Sequence, residues 1–243
     1  GNEFVEEALN KGAKYAIVDS DTVNIDNSKI LRVKDSLGTL QKLATFHRTK
    51  SNSIVIALTG SNGKTTTKEL IDCVLSSNFK TISTKGNYNN HIGVPLSLLQ
   101  IQDDTEYSVI ELGANNFGEI DFLTKITMPD YGYITNFGKA HLEGFIDIEG
   151  VIKAKKELYD YIDVNDGTLF VNANDKLLMS ISENTERVLY NMKEQEQSNS
   201  PFAEVIYNSF IISSQLIGDY NRTNILAACK IGHYFGVSLE KTK

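Results

Sequence analysis

An uninterrupted apolar run, Ile54-Val55-Ile56-Ala57-Leu58, passes directly into the glycine-rich stretch Thr59-Gly60-Ser61-Asn62-Gly63-Lys64-Thr65-Thr66 and then into a helical pattern. A short run this rich in β-branched residues fits a central parallel strand covered on both faces. A chain carrying that junction is committed to strands and helices in alternation. The alternation continues with a strand near 81, a helix over 94–99, a strand over 107–112, a helix over 119–126, a strand over 131–135, a helix over 148–162 and a strand over 168–171. This order predicts a doubly wound, mostly parallel α/β sheet. Ahead of it, a helix over 4–10, strands over 15–18 and 30–33, and a helix over 36–49 predict part of a small N-terminal α/β domain. The polar stretch Lys50-Ser51-Asn52-Ser53 marks the boundary, giving domains of 1–50 and 51–243. Residues 183–200 are polar and poorly periodic, and a last helix is predicted over 221–235.

The position of the glycine-rich stretch, between strand and helix, is the context that a phosphate-binding loop requires. Gly60 and Gly63 free the backbone to turn its N–H groups inward, and the helix N-terminus favours an anion. Lys64 supplies a cation and Thr65 a hydroxyl for Mg²⁺. The loop is a shorter variant of the general G-x-x-x-x-G-K-[ST] pattern, because the place five before Gly63 is Leu58. In the predicted helix over 148–162, Lys155 stands at the centre of the apolar stripe formed by Ile148, Val151, Ile152, Leu158, Tyr159 and Ile162. It is either a lysine that snorkels past its apolar neighbours or a buried amine with a specific task. Periodicity does not decide between them. Glu111 closes one strand at the carboxyl edge, where open α/β sheets bind ligands, and His141 follows another such edge. With Thr65 they make an oxygen- and nitrogen-rich set suited to Mg²⁺; a helix-capping carboxylate and a loop histidine are the plainer alternatives. His47, His91 and His233 have no such context and read as structural or solvated.

Composition narrows the classes of partner. The chain has 243 residues with 31 acidic against 24 basic, a formal net charge of −7. A net acidic surface does not favour nucleic acid, whose phosphates are bound through clustered Lys and Arg. Its two cysteines, Cys73 and Cys229, are too few for a disulfide framework or a Cys-x-x-Cys metal site, which points to a reducing cytoplasm. No apolar run approaches the ~18 residues of a membrane span, so no membrane insertion is expected.

Taken with the loop, four further stretches resemble the ATP-dependent Mur ligase family: Gly86-Asn87-Tyr88-Asn89-Asn90-His91-Ile92-Gly93-Val94-Pro95, the run from Glu111 to Ile120, His141-Leu142-Glu143-Gly144-Phe145 with Ala154-Lys155-Lys156-Glu157-Leu158, and Gly218-Asp219-Tyr220-Asn221-Arg222-Thr223-Asn224. The loop is common to that family and to folylpolyglutamate synthetases; the stretches beginning at Gly86 and at Glu111 point to the branch that adds D-alanyl-D-alanine. The resemblance implies that a UDP-N-acetylmuramoyl-tripeptide carboxylate attacks the γ-phosphate of ATP, and that the amine of D-alanyl-D-alanine displaces phosphate from the resulting acyl phosphate. It implies that Gly60, Ser61, Asn62, Gly63, Lys64, Thr65 and Thr66 hold ATP phosphates, and that Asn221, with Asn224 nearby, meets adenine. Thr65 and Glu111 would bind one Mg²⁺. A carbamylated Lys155, Glu111 and His141 would bind a second. Thr84, Asn89 and Asn90 would be substrate-loop positions, with a polar Gly-Asn turn as the plainer alternative, as a helix N-cap and first turn are for Asn221 and Asn224. Lys64, Lys155 and His141 are the catalytic candidates. A monomer acting in a bacterial cytoplasm is expected.

The family's uridine-binding N-terminal domain reads as truncated here, its C-terminal domain as absent, and the segment between Val171 and Gly218 as irregular and short. The span 1–243 is therefore expected to bind nucleotide without ligating. A sister ligase adding another amino acid, a folylpolyglutamate synthetase-like enzyme and a nucleotide-binding module without catalysis stay open. A P-loop phosphotransferase or GTPase would leave Lys155 and Asn221 unexplained.

Overall fold

The computed structural model describes residues 2–20, 28–138, 147–191 and 201–242. After a 3-10 turn at Asn2–Phe4 come α1 (Val5–Asn10), β1 (Ala16–Val18), β2 (Ile30–Arg32) and α2 (Ser36–Lys50). β1 and β2 form a small parallel pair of their own. Asp19 ties this piece to α2, its Oδ2 accepting from the Ser36 amide at 2.8 Å and from the Ser36 hydroxyl at 2.6 Å.

The main sheet contains β3 (Ile54–Thr59), β4 (Thr81–Ser83), β5 (Tyr107–Glu111), β6 (Tyr131–Ile134), β7 (Thr168–Asn172) and β8 (Glu186–Tyr190). Its six strands run in the order β4-β5-β3-β6-β7-β8, and every neighbouring pair is parallel. It is the doubly wound α/β sheet that the alternation predicts.

Period-two alternation along each strand divides the core into two layers. Val55, Ala57, Ile110, Ile134, Leu169 and Val171 face α2, α4 (Gly93–Leu98), α5 (Glu119–Thr127) and α6 (Ile148–Val164). Ile56, Leu58, Val109, Tyr133 and Phe170 face α3 (Lys64–Ser76) and α8 (Tyr220–Tyr234). With both faces covered, β3 can be apolar throughout, which is why it reads as a continuous run and not as an alternation.

The region beyond Val171 is more regular than its sequence suggests. It holds α7 (Lys176–Ile181), whose N-cap Asp175 accepts from the amides of Leu177 and Leu178, then β8, and a hairpin of β9 (Phe202–Tyr207) and β10 (Phe210–Ile217). Ala203, Val205 and Ile212 of the hairpin enter the α8 layer. A short α9 (Leu239–Thr242) follows. Among the described residues, no helix is long and apolar enough to cross a membrane.

Candidate functional site

β3 lies between β5 and β6, so the loops leaving these three strands diverge at one point of the carboxyl edge. Such a switch point is where open α/β sheets bind ligands. The loop after β3 crosses it first. Gly60 has φ +146° and Gly63 +77°, and a Cβ on Gly60 would fall on the Thr135 hydroxyl. Both places therefore demand glycine. As N-cap of α3, Gly63 offers no side chain to the first-turn amides, which stay open toward the crevice.

The stretch following β6 clamps this loop. The Ser61 amide donates to the Asn136 carbonyl at 3.0 Å, and the Asn62 amide to Asn136 Oδ1 at 3.2 Å. Asn136 Nδ2 and the Thr135 hydroxyl both donate to the Asn62 carbonyl, at 3.0 and 2.6 Å. The amides of Ser61 and Asn62 are thus engaged with protein, and the groups facing the crevice belong to the first turn of α3. Lys64 folds over the loop, its Nζ 2.9 Å from the Gly60 carbonyl and 3.4 Å from that of Ser61. Burial lowers the pKa of this amine, and the Glu111 carboxylate partly offsets the effect.

Glu111, 1% exposed, is held on three sides. Its Oε2 accepts from the Thr65 hydroxyl at 3.0 Å and its Oε1 from Asn89 Nδ2 at 2.8 Å, while its amide donates to the Thr84 hydroxyl oxygen at 2.9 Å. Two ligands about 2.1 Å from an octahedral Mg²⁺ and at right angles stand about 3 Å apart. The Thr65 and Glu111 oxygens fit one edge of such a shell.

Lys155 is 1% exposed on α6, whose buried face is Val151, Ala154, Leu158, Tyr159 and Ile162. Burial pushes its amine down to about 8, and the positive charge of Lys64 acts in the same direction, opposed by Glu157 and Glu119. The amine is therefore enclosed, and within electrostatic reach of the loop lysine. His141 lies outside the described residues, and with it the third member of the expected metal set. Among the described residues, no group of three or more His, Cys, Asp or Glu side chains converges as a metal cluster.

The other candidates differ from one another in burial and partners. Thr84 is completely buried behind Glu111, so it meets the carboxylate's backbone and not the open crevice. Asn90 Oδ1 accepts from the amides of Ile92 and Gly93 at the start of α4, and Asn90 also lines a cavity beside Lys64. Asn221 donates from Nδ2 to the Ile217 carbonyl at 3.0 Å and accepts from Asn224 Nδ2 at 3.0 Å, both side chains being 4% exposed. The packing of Asn224 against Gly63 joins α8 to the loop.

Two cavities flank the loop. One of about 340 Å³ is lined by Lys64, Asn89, Asn90, His91, Glu119 and Phe122 among others. The other, of about 700 Å³, is bounded by Asn62, Gly63, Asn136, Asp175, Tyr220 and Asn224 among others. Sequence reasoning missed Thr135, Asn136 and Tyr220. The rule that ligands gather at carboxyl strand edges would have singled out the first two, directly after β6.

The Mur ligase middle domain family matches residues 58–232. A UDP-N-acetylmuramoyl-tripeptide–D-alanyl-D-alanine ligase of Bacillus subtilis is 34% identical over 99% of this chain and 54% of its own length. The protein of the same name from Escherichia coli is 40% identical over 72% of this chain and 38% of its own. A MurF crystal structure from Acinetobacter baumannii superposes with a TM-score of 0.85 at 33% identity, covering 99% of this chain and 55% of that one. A MurF ligase from Thermotoga maritima in complex with ADP gives 0.82 at 28% identity, covering 99% of this chain and 59% of that one. The chain spans about half the length of the curated relatives it matches. The matched span runs from the end of β3 through the loop, the Glu111 strand and the Lys155 helix into α8, and the chain belongs to the Mur ligase family.

Proposed function

We propose that this chain supplies the ATP-binding part of a ligase that joins D-alanyl-D-alanine to a UDP-N-acetylmuramoyl-tripeptide. The observation that carries the reading is the meeting of the Thr65 hydroxyl with the Glu111 carboxylate beside Lys64, at the mouth of a glycine loop. The names of the relatives and the ADP complex of the Thermotoga maritima ligase support the substrates and the nucleotide.

In this reading the first-turn amides of α3 and the Lys64 ammonium bind the phosphates, and the Asn136 clamp keeps the loop rigid so that binding requires little ordering. Thr65 and Glu111 would hold a Mg²⁺, whose charge offsets that developing on the transferred phosphoryl group. The crevice brings the tripeptide carboxylate into line with the γ-phosphoryl group, ADP leaves, and the dipeptide amine displaces phosphate from the acyl phosphate. Lys155 is the proposed carbamate. Adding CO₂ turns an amine repelled by Lys64 into an anion attracted to it, and supplies oxygen to a hard cation. Residues 1–50 would belong to an N-terminal substrate domain and 51–243 to the ATP domain, with α2 as the joint, since Ala44 of α2 enters the main core. A monomer in the cytoplasm completes the proposal.

The test is ADP release by a longer chain that contains this span, in the presence of the UDP-linked tripeptide and a series of amines. Release should depend on D-alanyl-D-alanine and exceed that with any single amino acid. A single amino acid that outperforms the dipeptide would overturn the substrate assignment, and release that ignores the amine would overturn the ligase assignment.

A further inference from the structure

Lys68 is fully buried in α3, one turn beyond Lys64, on the same helix face as Ile71 and Leu75. Removing an ammonium from water costs several kcal/mol unless partners are waiting for it. Here they are: its Nζ donates to the Thr84 carbonyl at 2.5 Å and to Glu69 Oε1 at 2.5 Å. The carboxylate of Glu69 is largely exposed, its side chain keeping 61% of its accessibility. The enclosed half of the interaction is therefore the bond to Thr84.

Thr84 is itself a relay. It follows β4 directly, its amide donates to the Val109 carbonyl at 3.0 Å, and its hydroxyl oxygen accepts the Glu111 amide at 2.9 Å. The Glu111 carboxylate then meets Thr65, which sits on the same helix as Lys68. Helix α3 consequently grips the end of the β4–β5 pair twice: once through Thr65 at the carboxylate, and once through Lys68 at the backbone behind it.

We infer that Lys68 is a positioning residue that sets the Glu111 carboxylate against the Thr65 hydroxyl by locking Thr84 to α3. The inference rests on the proposed function, since it takes these two oxygens as the cation-bearing pair. Lys68 touches neither nucleotide nor metal. Its charge-assisted bond fixes a carbonyl, the carbonyl's residue fixes an amide, and the amide belongs to the ligand. Supports of this kind typically change metal affinity by 10- to 100-fold.

The experiment measures ATP binding by calorimetry at a series of Mg²⁺ concentrations and again in excess EDTA, for the chain as it stands and for Lys68→Met, Thr84→Val and the double variant. In Lys68→Met the Mg²⁺ concentration for half-maximal binding should rise by about tenfold, while binding in EDTA changes by less than twofold. Thr84→Val should show the same displacement, and the double variant no more than either single, because both act through one chain of contacts. A merely structural lysine would lower the melting temperature and weaken both binding modes alike, and that result overturns the inference. Should Lys68→Met fail to fold, an unshifted Mg²⁺ midpoint in Thr84→Val overturns it equally. Loss of Mg²⁺-dependent ATP binding in the unsubstituted chain would instead count against the proposed function.

Discussion

A lysine inside an apolar stripe is accommodated by an anion, a lost proton or a chemical change, and this site holds two such buried lysines, Lys68 and Lys155. Lys68 has found acceptors. Lys155 has its pKa pushed down to about 8 by burial and by Lys64, so more of it is neutral and able to react with CO₂ near neutral pH than of an ordinary lysine. Carbon NMR after ¹³C-bicarbonate labelling should show one carbamate signal that is missing in Lys155→Met; a metal- and ATP-loaded sample without that signal would refute the carbamate. In the proposed function Lys64 has the simpler task of meeting phosphate. Lys64→Ala should weaken ATP binding by about 100-fold, the magnitude expected for a desolvated charge-assisted contact, and calorimetry showing unchanged affinity would remove the loop from the binding site. Lys155 was legible in the sequence because a charge interrupts a 3.6-residue period. Lys68 interrupts the shorter pattern of Ile71 and Leu75 in the same way, but its neighbours Thr65, Thr66 and Thr67 are polar and blur the stripe. The burial of Thr84 and the cap bonds of Asn90 were not legible, since ligand contact and support from behind need the same residue types.

At the scale of elements, what could be read was whatever repeats with its own period. The strands and helices from β3 to β7 are covered on both faces or on one long face, and their apolar spacing announces them. β8 is an edge strand with Glu186 exposed, and the β9–β10 hairpin turns through Asn208 and Ser209, at φ +47° and +71°. Asn-Ser is a weaker hairpin signal than Asn-Gly, so the turn passes for polar coil. A second illegible feature is Arg48 on α2, 8% exposed, which a helical wheel assigns to the last-turn charges. Its guanidinium donates to the carbonyls of Thr127, Met128 and Ser53 and to Asp130 Oδ2 at 2.8 Å, and the same Asp130 oxygen accepts the Val55 amide at 2.7 Å. One side chain thus seals the junction of α2, the end of α5 and the start of β3. Arg48→Met fills much of the volume but strands these carbonyls, and should cost about 3 kcal/mol. Urea unfolding should show a lower midpoint at unchanged slope, whereas a midpoint within error of the unsubstituted chain would mean that water replaces the guanidinium without loss.

On the scale of the whole molecule, the two cavities lie on opposite sides of one loop because β3 has β5 on one flank and β6 on the other. The β6 side carries the Asn136 clamp and the start of α8; the β5 side carries Glu111, Asn89 and the start of α5. In the proposed function, a nucleotide with its phosphates on the first turn of α3 would place its base and sugar in the larger cavity, and the smaller one, beside Lys64, would take the substrate carboxylate. Hydrogen exchange can read this division directly, because ligand binding suppresses local opening only where it makes contact. ATP with Mg²⁺ should slow exchange in residues 60–66, 135–138 and 220–224 and leave 114–123 nearly unchanged. The UDP-linked tripeptide, added next, should protect 88–92 and 113–123, with both ligands acting together only around Lys64. Protection of 114–123 by ATP alone, with 220–224 unaffected, would place the base on the β5 side and reverse the two cavities.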